Sequence, residues 1–390
     1  MKKIITIFAP GIMPQKSGAG ANAFCLARSF SALGYKVNLV SFRWCDSPFV
    51  EVVDNINIVR IPIFYGNFFF KLFSYLIILP VIAFFLFRSN LSLVFGPMQG
   101  YIFLILLGNV TGKKVVYRST MLDVDDIKSL IHKHGPYLSP LFRKLFGLMG
   151  GYIAQSPAMT SRLSKELPGF VNFIETAQGV DVEKFHPTDS LTKNNYRIIL
   201  GLSSNVKILV SVGYVIERKG LREVFDVLSE QQKDLEFLYV IVGEYKPSKG
   251  SYMHSQKTEM FSLYQYGKEK LGEKIIFTGG VNNVVDYLKA ADIFILNSKK
   301  EGMPNVLLEA MACGLPVIAK PLLGVAGYIL HDGDNAVFAN DSEELSESVK
   351  LLFDKPSLAL MLGVNAAELI SKKFSIKAVA SEIERAFIKE

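Results

Sequence analysis

Residues 293 to 319 constrain this chain more than any other stretch. Ile293, Phe294, Ile295 and Leu296 are a short apolar, β-branched run of the kind buried on both faces of a parallel sheet. Pro304 suits the first position of a helix, Leu307, Leu308 and Met311 supply its apolar spacing, Gly314 suits its end and Pro316 forbids continuation. A helix is thus expected from about Pro304 to Cys313, followed by a second strand at Val317, Ile318 and Ala319. Strand, helix and strand at this spacing make a βαβ unit, which places the chain in the α/β class with a parallel sheet. The loop carrying Glu301 then lies at the carboxyl end of a strand, where open α/β sheets bind their ligands.

The first turn of such a helix leaves the amides of Asn305 and Val306 outside the helical ladder, and with the helix dipole they favour a phosphate or diphosphate. Two glutamates beside an anion site need a reason, because carboxylates repel phosphate. Glu301 in the loop and Glu309 about one and a half turns into the helix can flank the anion and accept hydrogen bonds from sugar hydroxyls, one from a ribose and the other from a hexose. The plainer alternative makes Glu301 a capping acid and Glu309 a solvated helix residue.

The 390 residues suggest two or three domains, and 50% hydrophobic composition allows sizeable cores. Cys25, Cys45 and Cys313 show neither metal nor redox spacing, and three cysteines so far apart argue against a disulfide framework, so reduced packing cysteines are expected. The start, MKKIITIFAP, has too short an apolar run for a signal peptide and reads as the first strand. Met1 to Pro187 holds 19 Lys+Arg against 10 Asp+Glu, an excess of +9, whereas the remainder carries −2. With no arginine-rich recognition helix, RNP-like strand or zinc finger in that half, nucleic acid is not the expected partner; an anionic membrane surface or a phosphorylated acceptor is.

Phe68 to Phe87 reads FFFKLFSYLIILPVIAFFLF, long enough on paper to span a bilayer. Strand-like runs at Ile56 to Ile63 and Leu91 to Phe95 flank it, and one sheet cannot have its strands on both sides of a membrane. Two readings remain, a buried crossover helix and a helix whose outer face rests in the membrane interface. The many phenylalanines, with Arg60, Lys71 and Arg88 nearby, favour monotopic attachment.

Gly18, Gly20 and Ala23 match the G-x-G-x-x-A dinucleotide fingerprint before a helix at Ala21 to Leu33. Pro10 to Ser17 intervene between strand and fingerprint, and the region from Asn38 to Arg43 lacks the acid that binds a ribose, so an oxidoreductase is not expected. Gly18 and Gly20 either let the backbone approach donor phosphates or acceptor, or serve a turn needing positive φ. Asn22 is expected at the helix start, either in hydrogen bonding there or against substrate. Asp123, Asp125 and Asp126 read as an acidic loop or helix cap rather than a metal cluster, and no metal site is assigned. His132 and His134 read as loop residues.

EGMPNVLLEAMACGLPV, with its two glutamates separated by seven residues, closely resembles the donor-site signature of glycosyltransferase family 4. Further likeness runs through Gly179-Val180-Asp181 with Phe185 and Pro187, the strand and turn Val210 to Gly213, Lys219-Gly220, Val240 to Gly243, Ile275 to Gly279 and Ala291-Asp292. The resemblance implies a GT-B fold: two Rossmann-like domains with parallel sheets facing an interdomain cleft, and a C-terminal helix, Phe374 to Ile388 by pattern, returning to the first domain. Expected boundaries are 1–187 for an acceptor and membrane-facing domain, 188–370 for a nucleotide-sugar donor domain and 371–390 for the returning helix. It also implies that Glu301 contacts the donor sugar, Glu309 the ribose, and the Asn305 and Val306 amides the diphosphate, with Gly20 beside the phosphates and Gly18, Asn22 and Arg118 facing the acceptor. Lys219, expected to begin a helix after a strand and turn, can reach the diphosphate as a point charge. Four departures stand out: Gln178 replaces an Asn, Tyr214 the usual Arg, Arg118 stands near the family's frequent His, and Gly327 replaces an acid. Arg218 is the candidate for the missing guanidinium.

The reading implied is a retaining glycosyltransferase that moves a hexose from a UDP- or GDP-linked sugar to a lipid-linked or polysaccharide acceptor in cell-surface glycan biosynthesis. It would be peripherally attached to the cytoplasmic face of the membrane and need no metal or redox cofactor. The alternatives are a GT-B sugar-nucleotide epimerase and a catalytically silent sugar-nucleotide-binding membrane protein.

Overall fold

A computed structural model describes residues 3–11, 18–43, 47–63, 68–246 and 254–389, with side chains of the helix that begins at Phe68 described from residue 73. The chain divides into two compact units, one formed by Met1–Gly179 with Phe374–Glu390 and the other by Val180–Lys373.

In the first unit the strands are β1 (Ile4–Phe8), β2 (Lys36–Phe42), β3 (Val50–Val53), β4 (Ile56–Ile61), β5 (Leu91–Phe95), β6 (Val115–Arg118), β7 (Gly151–Ala154) and β8 (Phe173–Glu175). They make one sheet in the order β3-β4-β2-β1-β5-β6-β7-β8, parallel throughout except for the β3–β4 pair. The strand order reverses between β1 and β5, so the sheet is doubly wound. Strands β5 and β7 are buried along their whole length, as the predominantly apolar sequences of strands covered on both faces require. One face packs on the helix Gly18–Ala32 through Ala23, Leu26, Ala27 and Phe30. The same core takes in Ile376, Val379, Ala380, Ile383 and Phe387 of the helix Ile376–Phe387, which Ser375 caps by accepting from the Ala378 amide at 3.2 Å.

The opposite face is covered by the helices Phe68–Arg88 and Tyr101–Thr111. Phe68–Arg88 is continuous through Pro80 and two-sided: Ile78, Ile82, Phe85 and Leu86 are buried, while Phe73, Leu76, Phe84 and Phe87 are about half exposed or more. Among the described residues no helix is long and apolar enough to cross a membrane. Two sequence readings need correction. Arg60 is buried, held by the Pro48 carbonyl and Glu51, so it adds no charge to that surface. His132 is not in a loop: it ends the helix Ile127–His132, 3.0 Å from Glu166. Asp126 caps that helix, accepting from the Ser129 amide, and Asp125 accepts from the Thr120 and Met121 amides.

The second unit contains β9 (Lys207–Val212), β10 (Phe237–Val242), β11 (Ile275–Phe277), β12 (Ile293–Leu296), β13 (Val317–Ala319) and β14 (Val337–Phe338). They form a parallel sheet in the order β11-β10-β9-β12-β13-β14, with the reversal between β9 and β12. Helices such as Leu221–Gln231 and Ser342–Asp354 close over it, burying Val224, Leu228, Leu345 and Val349 with Leu209 and Tyr239. The two units thus have the doubly wound α/β design that the βαβ spacing predicts. Cys313 is a buried free thiol and Cys25 is half-buried; Cys45 and residues 12–17 lie outside the described residues.

Candidate functional site

In the second unit β9 and β12 are neighbours, with Leu209 beside Ile293 and Val210 beside Phe294, and the sheet reverses its winding between them. The loops leaving their carboxyl ends therefore diverge to opposite faces and leave a crevice, the usual ligand position in such sheets. From β9 comes the turn Glu217–Lys219, a short 3₁₀ segment rather than the start of a helix; the helix proper begins at Leu221. From β12 comes the loop to Glu301 and the helix Asn305–Ala312.

These loops bring Lys219 and Glu301 together. Lys219 Nζ donates to Glu301 Oε1 at 2.8 Å, and Arg218 Nη1 lies 3.1 Å from Glu301 Oε2 while also donating to the Lys300 carbonyl at 2.6 Å. Glu301 is nearly buried, Lys219 is mostly buried and Arg218 is more open. Burial alone would raise the Glu301 pKa, but the charge and hydrogen bond of Lys219 and the charge of Arg218 outweigh it and hold the carboxyl below its ordinary value. The result is a two-cation, one-anion cluster with net positive charge at the mouth of the crevice.

Two glycines make the cluster possible. Gly220 has φ +66° and a Cβ there would lie 2.1 Å from the Asn297 carbonyl oxygen, so only glycine closes this turn. A Cβ on Gly213 would lie 2.8 Å from Lys219 Cε, so its absence opens the path of the lysine stem. The turn is held from below by residues the sequence reading missed. Asn297 donates to the Gly220 carbonyl at 3.0 Å and to Glu223 at 2.8 Å, and Lys320 donates to the same Glu223 oxygen at 2.8 Å. Their available signal was positional: Asn297 and Lys320 each follow a parallel strand by one residue. Tyr214 packs beside Ile216 and Met260.

The helix Asn305–Ala312 begins one residue later and ends one residue earlier than its sequence signals suggested. Its ladder opens with Leu307 and Leu308 donating to the Pro304 carbonyl, placing Asn305 and Val306 in the first turn, a short loop after Glu301. Glu309, on the same helix, is half-buried, and its removal from water pushes its carboxyl up to about 7, against the pull of Lys184.

In the first unit the helix Gly18–Ala32 carries Gly18, Gly20 and Asn22. Gly20 and Asn22 are buried, and the Asn22 amide donates to the Gly179 carbonyl at 3.3 Å. Arg118 is fully buried at the end of β6; it donates to the Ala177 carbonyl at 2.9 Å and its guanidinium lies over the Phe95 ring. Asn22 and Arg118 thus both brace the segment that ends this unit. Among the described residues no group of three or more His, Cys, Asp and Glu could hold a metal ion.

Comparison with known proteins gives this geometry a context. Residues 192–369 match the family model Glycos_transf_1, glycosyl transferases group 1. Over 216 residues the chain is 28% identical to the Escherichia coli UDP-Gal:alpha-D-GlcNAc-diphosphoundecaprenol alpha-1,3-galactosyltransferase, a match covering 54% of this chain and 52% of that one. The chain spans about half the length of most curated relatives it matches. Among solved structures, the sucrose-phosphate synthase of Thermosynechococcus elongatus superposes with a TM-score of 0.79 at 17% identity, covering 100% of this chain and 99% of that one. Anabaena HepE in complex with UDP-glucose gives 0.76 at 15% identity, covering 99% and 100%. The fold is accordingly GT-B, with two Rossmann-like domains.

Proposed function

We propose that this chain is a retaining glycosyltransferase of family 4 that transfers a hexose from a UDP- or GDP-linked sugar to a lipid-linked or polysaccharide acceptor in cell-surface glycan biosynthesis. The observation that carries the reading is the Lys219–Glu301 pair at the winding reversal of the second sheet, beside the first turn of the helix Asn305–Ala312. A bound diphosphate would draw Lys219 away from Glu301. Lys219, aided by Arg218 and the Asn305 and Val306 amides, then stabilises charge developing on the leaving diphosphate. Glu301, released from the lysine, accepts hydrogen bonds from the hexose and orients it, and Glu309 accepts from the ribose. No metal is needed, because these cations and amides supply the positive field. The acceptor hydroxyl proton would pass to the leaving phosphate.

The acceptor is assigned to the first unit, with Gly18, Asn22 and Arg118 shaping the backbone there and Gly20 kept for the donor phosphates. A lipid-linked acceptor fits the diphosphoundecaprenol substrate in the name of the Escherichia coli relative. It also fits the outward stripe Phe73, Leu76, Phe84 and Phe87, flanked by Arg88, as an attachment to the anionic cytoplasmic face of a membrane.

The test is a panel of UDP-, GDP- and ADP-sugars with undecaprenyl-linked and oligosaccharide acceptors, in which the anomeric configuration of the product is read by proton NMR. Glu301→Gln is expected to lower kcat about a hundredfold while the protein still binds the nucleotide, a loss of about 2.7 kcal/mol at the transition state. Full activity in this variant would remove the proposed donor site. Interconversion of free donor without acceptor would instead favour an epimerase.

A further inference from the structure

The second unit has another concavity, at the opposite end of its strands. Lys207 begins β9, Ile293 begins β12 and Pro316 precedes β13, and all three line a cavity of about 400 Å³. The strands are parallel, so this cavity lies at their amino ends while Lys219 and Glu301 follow their carboxyl ends.

Its wall carries more positive than negative charge. Lys193, Lys207 and Lys289 line it with Asp292. Asp292 is already engaged, accepting from Lys193 at 3.1 Å and from Arg197 at 2.6 Å. Lys207 donates to the carbonyls of Leu352 and Phe353, both at 3.2 Å. Lys289 is the unbalanced member. It is only 8% exposed, and among the described residues no carboxylate stands within salt-bridge distance of it. Its ammonium lies 3.1 Å from His186 Nε2 and 5.7 Å from the centre of the Tyr196 ring. His186 Nδ1 lies 2.9 Å from the Pro187 carbonyl, so Nδ1 donates there and Nε2 is left to accept from the lysine. A buried ammonium with only neutral partners is costly, and an anion beside it would offset that cost. The outer rim is apolar: Leu360 and Val364 line the cavity and are both exposed.

We propose that this cavity is a second binding site, for an amphiphilic anion whose phosphate or carboxylate headgroup pairs with Lys289 and whose short apolar body lies against Leu360 and Val364. The site is separate from the proposed donor site, so it stands or falls without it.

Isothermal titration calorimetry of the full chain with hexyl phosphate tests the assignment, with inorganic phosphate and hexanol as the headgroup alone and the tail alone. Hexyl phosphate is expected to bind one to one and at least tenfold tighter than either control. Lys289→Met should weaken it tenfold or more. Leu360→Glu, at an exposed position that leaves folding undisturbed, should weaken it about fivefold by placing like charge at the rim. Saturating UDP should leave the affinity unchanged. Absence of binding, equal affinity for inorganic phosphate, displacement by UDP, or unaltered binding in Leu360→Glu would each overturn the proposal.

Discussion

Glu309 shows how one side chain ties environment to pH. Its carboxyl is pushed up to about 7 in the folded protein, from an ordinary value of 4.5, because burial disfavours the charged form. Since the folded state holds this proton more tightly than the unfolded state, the contribution of Glu309 to stability is greatest below 4.5 and declines as pH rises through 7. Glu309→Gln removes that dependence. The variant is expected to melt at a higher temperature than the parent at pH 8 and within a degree or so of it at pH 5, as followed by circular dichroism. A variant that melts lower at pH 8 would show that the carboxylate is held by partners stronger than its desolvation. At this scale the sequence was only partly readable. Glu301 and Glu309 stand out because they sit eight residues apart in a run with helix punctuation, a local signal. What Glu301 pairs with depends on Lys219, 82 positions earlier, and the link from Lys320 to Glu223 spans 97. Hydrogen bonds of that separation come from sheet topology, not from spacing.

Among elements, the βαβ unit around residue 305 was legible almost to its ends, because proline, glycine and apolar periodicity act within a few residues. The 3₁₀ turn before Leu221 was not, because it is held by Asn297, which follows another strand and leaves no room for a Cβ at Gly220. The helix Phe68–Arg88 combines both cases. Its apolar content and length were evident, but which phenylalanines face outward follows from where Ile78, Ile82 and Leu86 meet the sheet. Only that packing isolates the stripe Phe73, Leu76, Phe84 and Phe87. Replacing these four by serine removes exposed apolar area without touching the core, so the melting temperature should hold. Flotation with anionic phosphatidylglycerol liposomes should fall at least tenfold. Retained flotation would locate any membrane contact elsewhere on the chain.

For the molecule as a whole, the decisive feature is that the first unit is assembled from two separated stretches of chain. Residues 374–389 contribute Ile376, Val379, Ala380, Ile383 and Phe387 to a core otherwise built from residues before 180. Burying each of these larger apolar side chains contributes about 1.5–3 kcal/mol, and the sum approaches the whole stability of an ordinary domain. Removing the chain after Lys373 is therefore expected to abolish the thermal transition of the first unit. The continuous second unit should keep its own, so that scanning calorimetry shows a single endotherm that still responds to nucleotide.

The same discontinuity dictates an order of events at the ribosome. Chains made from their amino end ordinarily complete domains in the order of synthesis. Here the stretch from Val180 to Lys373 emerges before the helix that seals the earlier stretch, so the second unit can reach its native state while the first still exposes the groove between its sheet and the helix Gly18–Ala32. The half that starts first finishes last. Until residues 376–387 arrive, that open apolar groove is the part of the nascent chain most in need of a chaperone.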